Sequence, residues 1–251
     1  MGRSQHDFGA FRTSGAPYLQ TTSDTFGLAD AGELERSFLA VGRGLRRNLI
    51  HLANRAGSGA ISVSRFTNDA TGFVFRAYYQ AYSLGAISVF PFYTMTDRDV
   101  NILNDELTEE RRFLRAFGED LVTNELVLDP IARTRLYLLA LRGIFERGRL
   151  EAMPPGPYRW RLGITEHCVE CYRASQEGPY QRDSTSGLGL QPLPGAPGDG
   201  SVCLGLTRCG CRIVLANGSP LPNEELADRM RGLLLEVVYG SRTTAAGSTT
   251  E

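Results

Sequence analysis

Met153-Pro154-Pro155-Gly156-Pro157-Tyr158-Arg159-Trp160-Arg161-Leu162 divides this chain in two. Three prolines and a glycine in four positions end any preceding helix, because proline lacks the N–H that the next helical turn needs and its ring clashes with the turn behind it. Directly after them, Tyr158 to Leu162 alternates apolar and charged residues with a period of two, the pattern of a half-buried strand. Upstream, apolar residues recur every three or four positions instead, the helical period. The expected class is therefore α+β: a mainly helical N-terminal body, then a small strand and loop module with a C-terminal helix, the module being the one that the cysteines below are expected to staple.

Working back from the break, Asp129-Pro130 opens a helix, since proline suits the first turn where its missing N–H costs nothing. Leu136, Leu139, Ile144 and Phe145 are its expected apolar contacts. Before it, Thr96 has the character of an N-cap, with Asp97 and Asp99 placed to favour the helix dipole. That helix runs through Ile102, Leu103, Leu107, Phe113, Leu114, Phe117 and Leu121, and its run Glu109-Glu110-Arg111-Arg112 reads as a solvated face. An earlier helix spans about Val63 to Leu84, with Gly85 as its stop. The first helix begins after Asp30 and carries Leu34, Phe38, Val41, Leu45, Leu49 and Leu52 on one side, ending near Gly57.

The periodicity sets four segments: a flexible arm over 1–30, a helical domain over 31–153, a cysteine-rich module plus C-terminal helix over 154–239, and a disordered tail over 240–251. Arg212 to Leu215 reads as a second strand, and Asn223 to Tyr239 as the last helix, with Leu226, Met230, Leu233, Leu234 and Val237 on one side. Between the strands lies a loop, Gln181 to Ser201, dense in Gly, Pro and Ser.

All five cysteines fall in this second half, as Cys168-x2-Cys171, then 31 residues, then Cys203-x5-Cys209-x-Cys211. A Cys-x2-Cys turn points two sulfurs at one ion, and tetrahedral zinc needs two more donors. Cys209 and Cys211 share a side of an extended chain and can supply them; Cys203 with Cys209, or His167 as a substitute, are other combinations. A closed set of four ligands has no position for water or substrate, so the expected role is structural: a tie between Tyr158–Leu162 and Arg212–Leu215. Disulfides are the competing use of such cysteines, and compartment decides between them. Met1 to Leu28 contains no apolar run long enough for a signal-peptide core, which favours synthesis in a reducing cytoplasm, and no run of about 18 apolar residues suggests a membrane span.

Composition narrows the function further. The net charge is -1, and all 27 basic residues are arginine. A near-neutral balance argues against a protein that coats nucleic acid. Among possible phosphate contacts, Arg43, Arg46 and Arg47 on the first helix form the best group. The sequence has only three histidines, His6, His51 and His167, and contains no metalloprotease pair, nucleophile elbow, phosphate loop or dinucleotide fingerprint. The expectation is a non-enzyme.

Three stretches together resemble a known family: Phe73 to Gly85 (FVFRAYYQAYSLG), Tyr158 to Tyr180 (YRWRLGITEHCVECYRASQEGPY) and Leu193 to Ile213 (LPGAPGDGSVCLGLTRCGCRI). They are similar to the minor head or head morphogenesis proteins of tailed bacteriophages, including those like the phage Mu minor head protein. Those proteins carry a Cys-x2-Cys, a Gly/Pro-rich spacer and a closing Cys-x-Cys, which here reads Cys209-Gly210-Cys211-Arg212 with glycine where arginine is common. The resemblance implies a virion protein, made in the host cytoplasm and present in multiple copies, that binds portal or capsid subunits. It implies Cys168, Cys171, Cys209 and Cys211 as zinc ligands, with Cys203 as the variable position. The alternative is a zinc-ribbon protein that binds nucleic acid in packaging or transcription.

Overall fold

The computed structural model describes residues 31–123, 129–163, 168–197 and 211–239. Four long helices come first: α1 (Ala31–Gly57), α2 (Val63–Val89), α3 (Asp97–Thr123) and α4 (Pro130–Ala152). A small second part follows, with β1 (Tyr158–Arg161), α5 (Val169–Glu177), β2 (Tyr180–Gln181), β3 (Gln191–Pro192) and β4 (Arg212–Leu215). The chain then closes with α6 (Glu224–Tyr239). Among the described residues no helix is long and apolar enough to cross a membrane.

The helix starts follow the caps expected from the sequence. Asp129 accepts a hydrogen bond from Ile131 N at 3.0 Å, with Pro130 in the first turn. At α3, Asp99 N donates to Thr96 Oγ1 at 3.3 Å, while Thr96 N and Thr96 Oγ1 each donate to Asp99 Oδ2 at 2.7 Å. The two residues satisfy each other's loose ends reciprocally, as in a capping box. Asp99 is almost fully buried and also accepts from the hydroxyls of Tyr82 at 2.5 Å and Tyr93 at 2.9 Å. Burial pushes its carboxyl up, but the hydrogen bonds from Tyr82, Thr96 and Tyr93 outweigh it and hold the group below its ordinary value. Burial, and after it the same carboxylate, raise the Tyr82 and Tyr93 phenols well above theirs.

Gly85 does not end α2. The helix continues through it to Val89, because Gly85 lies where α2 crosses α4. A Cβ on Gly85 would sit 2.0 Å from the Phe145 carbonyl oxygen, and one on Gly148 would sit 2.0 Å from that of Tyr82. Two glycines thus allow backbone to meet backbone, and the glycine serves packing rather than termination. Around this crossing α2 also packs on α1 and α3, and a core of Phe38, Leu49, Phe66, Leu103, Phe117 and Phe145 fills the spaces.

Two expected core positions lie outside it. Leu136 and Phe113 are both about half exposed, while Leu138 and Leu141 of α4 and Leu114 of α3 take the buried positions. The α4 stripe is displaced because this helix has neighbours on two sides, α2 and α1 with α6. α6 packs on α1 and α4, and its Leu226, Met230, Leu234 and Val238 belong to the helical core. The C-terminal helix that follows the cysteine module in sequence is thus packed into the bundle.

The sheet has strand order β3-β2-β1-β4. β1 and β4 pair antiparallel with Tyr158 opposite Leu215 and Trp160 opposite Ile213, so a hydrogen-bonded ladder already joins the two strands that a metal was expected to tie. The stretch read as loop contains two short strands as well: β2 pairs antiparallel with β1, and β3 pairs parallel with β2. Each is two residues long, too short to leave a period in the sequence. The expectations for 1–30, 240–251, His167, Cys203 and Cys209 concern residues outside the described ones.

Candidate functional site

α5 places the Cys-x2-Cys pair. Cys168 is its N-cap residue and Cys171 sits one turn in, fully buried, with Tyr172 N donating to Cys168 O at 3.1 Å. Cys211 immediately precedes β4 and is also buried. The fold brings all three into one apolar cluster with Tyr158, Trp160, Tyr180 and Ile213, although 39 residues separate Cys171 from Cys211. The Trp160 indole N–H, buried in that cluster, has no acceptor among the described residues.

A closed zinc site takes four donors. Among the described residues no three His, Cys, Asp or Glu side chains are grouped to hold an ion, and no two of the three described cysteines are joined by a disulfide. The described cysteines share a cluster but do not by themselves make a metal centre. The remaining candidates, Cys203 and Cys209, lie outside the described residues.

Two charged seams fasten this module to the bundle, and the sequence reading assigned no role to either. In the first, Arg149 of α4 is buried with its guanidinium 3.2 Å from Glu146, 3.3 Å from Glu224 and 2.9 Å from the Pro222 carbonyl oxygen. Arg212 of β4 reaches Glu224 at 3.7 Å and Asp228 of α6. Burial raises the Glu224 carboxyl, opposed by Arg149. The cleft between them, lined also by Cys211, Arg142 and Leu221, has a volume of about 10 Å³, the size of one water rather than a metabolite.

In the second seam, Arg98 at the start of α3 bridges Glu151 at 3.3 Å and Asp183 at 3.0 Å, while Arg182 donates to the Met153 carbonyl oxygen at 2.7 Å. Burial acts to raise the Asp183 carboxyl, but hydrogen bonds from Thr185, Arg182 and Arg98 prevail and hold it well below the usual carboxylate range. A further carboxylate, half-buried, belongs to the bundle alone. Glu110, from the run read as a solvated face, accepts from the buried Tyr78 hydroxyl at 2.6 Å, and burial raises its carboxyl above the ordinary value despite that hydrogen bond. Its signal was present: Leu103, Leu107, Glu110, Leu114, Phe117 and Leu121 follow one three-four stripe, so Glu110 occupies an apolar slot.

Among the described residues the buried carboxylates are thus engaged by arginine, tyrosine or threonine partners, each explained by packing. No family model, no curated protein and no solved structure matches this chain.

Proposed function

We propose that this chain is a non-enzymatic structural or assembly protein of a bacteriophage head that binds portal or capsid subunits, with its cysteine module closed by structural zinc. The observation that supports it most is the meeting of Cys171 and Cys211 in one buried cluster with the half-buried Cys168 packed against it, in a module whose motif order resembles that of phage minor head proteins. Cys168, Cys171 and Cys211, with Cys209 or Cys203, would hold the ion. Bound there, zinc would supply a permanent link between the start of α5 and the start of β4, with all four positions filled by sulfur. The small module has short strands and little core of its own, the situation in which a metal contributes most to folding.

Elemental analysis of the purified chain tests the zinc reading, and about one zinc per chain is the expected result. A metal-free preparation whose second half remains folded would overturn it. Co-sedimentation with assembled heads tests the assembly role: the chain should travel with particles, and failure to associate with heads or with isolated portal rings would refute it.

A further inference from the structure

The outer face of α1 carries a row of cations that no acid among the described residues pairs with. Arg36, Arg43, Arg47, His51 and Arg55 are all exposed, and Arg46 lies half-buried at the edge. Stepping at 100° per residue, Arg36, Arg43 and Arg47 fall within one narrow sector opposite Leu34, Phe38, Leu45, Leu49 and Leu52, which are buried in the core. From Arg36 to Gly57 the helix contains no aspartate or glutamate. Its two acids come earlier: Glu35 is occupied by Arg229 of α6, and Glu33 is exposed one turn before Arg36.

Elsewhere the exposed arginines are mostly paired. Arg65 is held by Asp69, Arg112 by Glu109, Arg115 by Glu119 and Arg173 by Glu170. None of Arg36, Arg43, Arg47 or Arg55 has an ion-pair partner among the described residues. In a chain of net charge -1, a helix face with unpaired cations and no acids is a pronounced asymmetry. A solvated face alone usually mixes both signs, as α3 does with Glu109 and Arg112.

We infer that this face of α1 is a docking surface for the phosphate backbone of double-stranded nucleic acid. The cations run from Arg36 to Arg55 along a rigid rod of about 28 Å, at 1.5 Å per residue. A duplex carries a phosphate charge about every 1.7 Å of its axis, so such a rod meets several phosphates at once. Every cation of the row is an arginine, whose planar fork matches phosphate oxygens in two-point contact. A lipid surface fits less well, because a membrane-lying helix must offer an apolar face, and the apolar face of α1 is buried against α2, α4 and α6. The contacts read no bases, so binding is sequence-independent. This surface is on the bundle, on an element separate from the cysteine module, and stands whether or not zinc is bound.

Binding of the full chain to a fluorescein-labelled 30-base-pair duplex of mixed sequence, followed by anisotropy across a salt series, tests this. With four arginines engaged, affinity should fall about 100-fold between 50 and 200 mM salt. The triple variant Arg36→Gln, Arg43→Gln, Arg47→Gln should lose most binding at the lower salt while keeping its helical melting curve, since all three side chains are exposed. A charge-matched control, Arg65→Gln, Arg112→Gln, Arg115→Gln, should bind as the parent does. No duplex binding at 50 mM salt, equal loss in the control, or equal or tighter binding to polyglutamate or to phosphatidylserine vesicles would each overturn the inference. Because it uses no phage particle, failure here leaves the head-assembly reading standing, and the reverse.

Discussion

The bundle and the cysteine module are built on opposite terms. The first four helices of the bundle are 23 to 27 residues long and carry apolar residues at helical spacing, so local pattern and tertiary contacts agree over most of their length. The module has strands of two and four residues and one nine-residue helix, none of which buries enough surface to be stable alone. Its order comes from outside each element: the β1–β4 ladder, the shared cluster around Trp160 and Cys171, and the Arg149 and Arg98 seams to the bundle. The helical part is specified by repetition and the module by convergence.

The sharpest way to break this contrast is at a cysteine. Structural zinc contributes about 10 to 16 kcal/mol in small peptides, more than an ordinary domain's whole stability. Cys171→Ser should therefore unfold the module, seen as loss of the Trp160 near-ultraviolet signal, while the far-ultraviolet helical signal largely persists. Simultaneous loss of both signals would mean that the seams make one cooperative unit and that the contrast is only one of architecture.

A smaller effect is expected at the helix crossing. Gly148→Ala places a methyl against the Tyr82 carbonyl, and because backbone rather than a flexible side chain must yield, the cost is about 3 kcal/mol in chemical denaturation followed by circular dichroism. The change should act on the bundle transition. An unaltered midpoint would show that α2 and α4 separate freely.

The smallest effect concerns charge. Glu110→Gln keeps an oxygen to accept the Tyr78 hydroxyl and removes a desolvated charge, so the variant should match or exceed the parent in stability at pH 7. The sign follows from a folded-state value raised above the unfolded one: the parent's carboxyl favours folding fully only below its unfolded value, near pH 4.3, and loses that contribution as pH rises through the folded value. The variant's advantage should therefore vanish on acidification. Asp99 and Asp183 behave oppositely, since their lowered values favour folding above the unfolded range and that contribution is lost as pH falls through the folded ones. A Glu110→Gln advantage that grows in acid would show that the Tyr78 contact does not bury the carboxylate.

Residues whose signal is local were legible. Thr96 and Asp129-Pro130 name their helix starts because a cap depends on the few amides beside it, and Arg212 to Leu215 has the bounds that its apolar, β-branched run suggests. Gly85 misled because one residue type serves both a helix end and a close helix crossing, and only the position of Phe145 separates them. Leu136 and Phe113 are apolar in sequence yet exposed, since which side of a helix is covered depends on where its neighbours stand. Of the candidate site, the Cys-x2-Cys at a helix start could be read directly, but Arg149 and Glu224 could not, because 75 positions separate partners that meet only in the folded chain.

By itself the sequence determined four long helices, the break at Pro154, the strands on either side of the cysteines and the acid-free arginine face of α1, all of which depend on neighbours within a few turns. Tertiary structure alone decided that α2 passes through Gly85 over α4, that α6 returns to the bundle, and that Cys168, Cys171 and Cys211 share a cluster. The physical reason is range: hydrogen-bonded turns and amphipathic periods act over a few residues, while burial is settled by surfaces that come from any distance along the chain.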